Sequence, residues 1–140
     1  MNDVTEPDQK LRHVLIIDDD EMLRSIARFG FETVGGFRVT DAESGAAALK
    51  IGLRESPDVL LLDVMMPLVD GPETLVNLRA SLTFSQTPII FLTANNREDE
   101  LKRLMALSAA GVIAKPFGPL ELPRQVATIL GWSNDVQVDQ

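Results

Sequence analysis

The sequence predicts an α/β fold: a (βα)5 domain with a doubly wound, parallel, five-stranded sheet. Five short apolar runs, at residues 13–17, 37–40, 59–62, 88–92 and 111–114, alternate with five longer amphipathic segments. The run at 59–62 is four consecutive apolar residues between Pro57 and Pro67, the length and composition of a strand buried on both faces. Carboxylates stand directly after the first and third runs, at the sheet edge where open parallel sheets bind their ligands.

Each run is followed by a helical spacing. After the first come Leu23, Ile26, Ala27, Gly30 and Val34, and Gly35-Gly36 closes the helix. Ala42, Ala46, Leu49 and Leu53 form the second stripe; Leu75, Leu78 and Leu82 form the third, opened by Gly71-Pro72. The fourth carries Leu101, Leu104 and Met105. The fifth carries Leu122, Val126, Ile129 and Leu130, opens at Pro119 and holds Pro123 in its first turn, where proline is tolerated. Apolar residues every three or four positions give each helix one face for a sheet. The repeated order requires right-handed crossovers with helices on both faces. This pattern fills residues 11–130. Residues 1–10 are expected to be a flexible N-terminal segment and 131–140 a short polar tail, with Trp132 packing back on the last helix.

Composition narrows the function. With 140 residues the chain fits one domain with its own core. It has no cysteine, which excludes disulfides and thiolate metal sites. No apolar run approaches the roughly 20 residues of a membrane span, so a cytoplasmic protein is expected. A net charge of −8, with scattered basic residues, argues against nucleic acid as a direct partner.

The chemistry lies at the strand ends. Asp63 ends the third run; alone it reads more readily as a turn or cap aspartate, but at that edge a carboxylate is also a candidate nucleophile. Asp18, Asp19 and Asp20 follow the first run, and with first and third strands adjacent they converge on Asp63. Crowded carboxylates repel, and either raised pKa values or a cation must relieve them. Mg2+ suits the donors, since it takes hard oxygen ligands and is often completed by phosphate. Asp20 and Glu21 are expected at the helix N-terminus, with Asp18 and Asp19 turned inward. The fourth run ends in Thr93 and the fifth in Lys115-Pro116-Phe117, adding a hydroxyl donor and a point charge that would complete a phosphoryl site.

Four landmarks in order, LIIDDDE at 15–21, PDVLLLDVMMPLVDG at 57–71, IIFLTA at 89–94 and AKPF at 114–117, make the chain resemble a receiver domain of two-component response regulators, from about residue 11 to 130. The resemblance implies a flavodoxin-like receiver fold of the chemotaxis-regulator kind. It makes Asp63 the phospho-accepting aspartate, Asp18 and Asp19 the acidic pair for Mg2+, and the backbone carbonyl of Met65 a further ligand. Thr93 becomes the switch hydroxyl, Lys115 the partner of Asp63 and then of the phosphoryl group, and Lys115-Pro116 a cis bond. The implied donor is a phosphohistidine on a sensor histidine kinase or histidine phosphotransfer protein. The implied output is a phosphorylation-dependent contact with a further protein, through the face of the fourth helix, fifth strand and fifth helix, as a monomer or a phosphorylation-dependent dimer. Such a protein assists only its own phosphorylation and dephosphorylation and is otherwise no enzyme. With no output module after the fifth helix, a stand-alone regulator is expected.

Val112 stands where many members of that family carry an aromatic switch residue, which implies a smaller conformational change. Met65 and Asn95 occupy positions that border the phosphoryl group. His13 lacks the helix-bundle context of a phosphohistidine and is expected to be exposed or at the strand's edge. A haloacid-dehalogenase-like phosphatase would use Asp18-x-Asp20, but Met22 departs from its pattern and its late acidic pair, here Asp99-Glu100, falls in a helix. An unphosphorylated interaction module keeps no need for the full residue set, and a flavodoxin relative lacks its phosphate loop where three acids stand.

Overall fold

The computed structural model describes residues 11–132, so the segment at 1–10 and all but the first two residues of the tail lie outside it. Along the chain run β1 (Arg12–Ile17), α1 (Glu21–Val34), β2 (Phe37–Ala42), α2 (Gly45–Gly52), β3 (Val59–Asp63), α3 (Gly71–Arg79), β4 (Ile89–Thr93), α4 (Glu98–Met105), β5 (Gly111–Ala114) and α5 (Glu121–Leu130). All strand pairs are parallel, in the order β2-β1-β3-β4-β5. The winding therefore reverses between β1 and β3, the crevice where such sheets take ligands.

The two-residue period of a strand sorts the core into two layers. Val14, Ile16, Val59, Leu61, Ile90, Leu92 and Ile113 pack with Ala27 and Phe31 of α1 and Leu122, Val126 and Ala127 of α5. Leu15, Ile17, Leu60, Leu62, Ile89 and Phe91 face the other way, against Ala48 of α2, Leu75 and Leu78 of α3, Leu104 of α4, and Phe84. The middle strands are apolar on both sides because both sides are covered.

Helix ends follow local chemistry. Asp20 caps α1, its carboxylate accepting from Met22 N and Leu23 N; Ser44 caps α2 and Asp70 caps α3 in the same way. Gly35, at φ +87°, closes α1 with its N–H on Phe31 O. Gly131, at φ +75°, closes α5, and Trp132 N donates to Ala127 O at 2.7 Å. Trp132 does pack back on the α1–α5 layer, and Arg12 lies over its ring at 4.4 Å.

Several expectations shift. Ala42 ends β2 rather than opening a helix, and Leu53 and Leu82, placed on helical stripes, are exposed just beyond α2 and α3. His13 is neither exposed nor at an edge: it sits on β1 between β2 and β3 and is 6% exposed. Its ring meets Thr40 Oγ1 at 2.6 Å, Arg38 at 3.1 Å and Glu55 at 3.4 Å, so a polar pocket satisfies it. Burial, then the Arg38 guanidinium, holds its pKa below the ordinary value.

Candidate functional site

Register alone brings the chemistry together. Ile17 pairs with Leu62, Asp63 with Leu92, and Thr93 with Ala114. The next residues, Asp18, Asp63, Thr93 and Lys115, therefore emerge along one carboxyl edge. The two-residue alternation that points Ile16, Leu61 and Ile113 toward α1 and α5 carries on to Asp18, Asp63 and Lys115. Thr93 continues the opposite row, after Ile89 and Phe91.

The side chains meet as that geometry requires. Lys115 Nζ lies 2.7 Å from Asp63 Oδ1 and 3.2 Å from Asp18 Oδ2. Asp18 is fully buried and Asp63 is 3% exposed. Asp18 Oδ1 accepts from Asp20 N at 2.9 Å, and its backbone carbonyl accepts from Arg24 Nη1 at 2.7 Å. Asp19 corrects the expectation of two inward acids, since it is exposed and forms the rim. Even so, carboxylate oxygens of Asp18, Asp19 and Asp63 lie within 4.8 Å of one another.

One ammonium stands among these acids, and burial and charge pull against each other in both partners. Burial is the main cause that raises Asp63 to about 6; the Asp18 charge adds to it, while Lys115 and the Met65 N–H oppose it. Burial works against the Lys115 charge, but the hydrogen bond to Asp63 and the charges of Asp18 and Asp63 outweigh it and hold Lys115 above its ordinary value.

The donors fit a divalent cation. They are hard oxygens with excess negative charge, on a scale an octahedral Mg2+ can span, since its opposite ligands at ~2.1 Å each lie ~4.2 Å apart. Lys115-Pro116 is cis, as expected. Thr93 is buried, but its hydroxyl is turned to its own loop, accepting from Asn95 N at 3.0 Å. Met65 is exposed at the start of the β3–α3 loop, its N–H 3.4 Å from Asp63 Oδ1. Asp20, needed by the phosphatase alternative, is the exposed cap of α1, and Glu100 lies on α4 in a 2.9 Å pair with Arg103.

Two contributors escaped the sequence reading. A Cβ on Gly71 would stand 2.5 Å from Asp63 O and 2.8 Å from Val64 Cα, so the start of α3 lies directly against the backbone of Asp63. Only the helix-opening role of Gly71 was legible. Arg24 was one of the scattered basic residues with no role read for it, yet it reaches back to the Asp18 carbonyl.

Comparison with known proteins agrees with this geometry. Residues 14–127 match the family described as the response regulator receiver domain. The alkaline phosphatase synthesis transcriptional regulatory protein PhoP of Bacillus subtilis (strain 168) is 36% identical over 120 residues, 85% of this chain and 48% of that protein. The chain spans about half the length of the curated relatives it matches. Among solved structures, the chemotaxis response regulator CheY4 of Vibrio cholerae superposes with a TM-score of 0.78 at 28% identity, covering 86% of this chain and 99% of that one. The receiver domain of the sensor histidine kinase PA1611 from Pseudomonas aeruginosa PAO1, solved with a magnesium ion coordinated in its active site cleft, gives 0.74 at 26% identity, covering 86% and 98%.

Proposed function

The chain belongs to the response regulator receiver-domain family, and on that premise we propose that Asp63 accepts a phosphoryl group from a phosphohistidine on a sensor kinase or phosphotransfer protein. The observation that carries this reading is the buried Asp63 carboxylate, held at 2.7 Å by Lys115 beside two further acids at the strand ends. In transfer, an Asp63 oxygen forms the bond to phosphorus while the phosphorus–nitrogen bond of the donor breaks, and the electron pair stays on the imidazole. Burial pushes Asp63 up to about 6, still below pH 7, and its ionised carboxylate is the form that attacks.

Asp18, Asp19, Asp63 and the Met65 carbonyl would hold Mg2+, which when bound offsets charge on the transferring group. Lys115 hands its hydrogen bond from Asp63 to a phosphoryl oxygen. The Thr93 hydroxyl turns from Asn95 to the phosphoryl group. The bond it leaves is neutral and contributes about 1 kcal/mol; one to an ionised acceptor contributes about 1.5–3 kcal/mol, so the turn is downhill once phosphate arrives. The β4–α4 loop, which starts after Thr93 and carries Asn95, then moves, and a downstream protein reads the altered surface.

The test is intact mass after incubation with Mg2+ and acetyl phosphate. Wild type should gain one phosphoryl group and Asp63→Asn none. An unmodified wild type, folded and with Mg2+ present, contradicts the reading.

A further inference from the structure

We propose that Arg24 is the positioning residue of the acidic site: it fixes the peptide between Asp18 and Asp19 and thereby sets the fit for Mg2+. The inference rests on the metal-assisted reading of that site.

Arg24 lies in the first turns of α1, one turn beyond the cap. Its Nη1 donates to the Asp18 carbonyl at 2.7 Å, while its Nε faces Asp41 Oδ2 on β2 across 3.4 Å. Its side chain is 15% exposed, so the bridge is sheltered from solvent. Asp41 is held in turn by Arg28 Nη2 at 3.4 Å, and Arg28 Nη1 reaches the Val39 carbonyl at 3.1 Å. A planar guanidinium thus grips the backbone of the metal-facing loop through Nη1, while its buried Nε faces Asp41 of β2 at ion-pair distance without a hydrogen bond.

The grip bears on two carboxylates at once. The carbonyl of residue 18 and the N–H of residue 19 share one rigid peptide plane. Fixing that plane leaves Asp18 pointing inward to Lys115 and Asp19 at the rim, its oxygen still within 4.8 Å of those of Asp18 and Asp63. Without the guanidinium, the plane is free to turn and Asp19 leaves the common focus.

Charge and geometry predict opposite results, which makes the inference testable. Arg24 is a cation near a cation site, so as a mere charge its removal would tighten metal binding. As a positioning group its removal must weaken it; loss of outer supporting groups typically costs 10–100-fold in metal affinity. The loss should also be selective. Mg2+ demands near-ideal octahedral geometry, whereas Ca2+ accepts a looser shell.

The experiment is calorimetric titration of the folded chain with Mg2+ and with Ca2+. It compares wild type with Arg24→Ala, Arg24→Lys and the charge-matched control Lys50→Ala, each checked for a cooperative melt. The expected result is that Arg24→Ala weakens Mg2+ by about 10-fold or more and Ca2+ by clearly less. Lys50→Ala, exposed in the last turn of α2 and outside this network, should leave Mg2+ unchanged or tighter. Arg24→Lys keeps the charge but cannot span both contacts, so it should weaken Mg2+ as well, and it carries the test should the alanine variant fail to fold. Equal or tighter Mg2+ binding in the folded Arg24 variants, or equal losses for both metals, overturns the inference. A wild type that binds no Mg2+ overturns the metal-assisted reading on which it rests, and the inference with it.

Discussion

Asp63 is held in an unfavourable state until something is added to it. A carboxyl raised from 3.8 to about 6 by burial makes its ionised form a burden on the folded protein. The sign follows: between roughly pH 4 and 6 the folded state holds the proton more tightly than the unfolded chain does. The penalty is therefore absent below pH 4, grows through that window and is complete above it. Asp63→Asn should accordingly stabilise the metal-free protein at pH 7 by about 1–3 kcal/mol, and the gain should vanish as pH falls to 4, as urea melts would show. Addition of Mg2+ should raise the melting temperature of wild type more than that of Asp63→Asn. Gly71 is the second residue-scale constraint. Gly71→Ala places a methyl within 2.5 Å of the Asp63 carbonyl, so phosphorylation by acetyl phosphate should slow by about tenfold or more. These acids and Lys115 were legible in the sequence because each directly follows an apolar run. Gly71 and Arg24 were not, because a close backbone approach and a reach back to a carbonyl leave no pattern in spacing.

At the scale of elements, period and punctuation carried the order of strands and helices, and the exceptions have physical causes. Ala42 looked helical because small residues at 42 and 46 are four apart, but its backbone pairs with Ile17 in the sheet. Leu53 and Leu82 continue helical spacings after the backbone has already turned away. His13 was misplaced because one histidine before an apolar run gives no sign of Thr40, Arg38 and Glu55, which only strand pairing brings to it. Gly30 was read as one point on an apolar stripe, yet it is where α1 meets the turn into α5: a Cβ there would stand 1.8 Å from Pro119 O. Gly30→Ala should destabilise by about 1–3 kcal/mol or more, as overpacking does. The acid cluster, on β1, β3 and their loops, should keep its Mg2+ affinity in the variant that remains folded, which calorimetry would verify.

Across the whole molecule, one sheet edge gathers the reactive groups and the β4–α4 loop lies between them and the distant surface. Val112 is half-buried and packs with the α2–α4 layer, without an aromatic ring to swing. Amide shifts on binding a beryllofluoride mimic should therefore centre on Thr93 to Asn95 and α4; the largest shifts at Val112 would contradict that route. Among the described residues no helix is long and apolar enough to cross a membrane. The proposed roles of Mg2+, Lys115 and Thr93 all depend on Asp63 being the acceptor, and the most direct test is to label the bond itself. After brief phosphorylation by acetyl phosphate with Mg2+, borohydride reduces an aspartyl phosphate to homoserine, which peptide mass spectrometry locates. Homoserine at position 63, dependent on Mg2+, is the predicted result. Homoserine at Asp18 or Asp19, or at no aspartate in a protein that has gained phosphate, would contradict it.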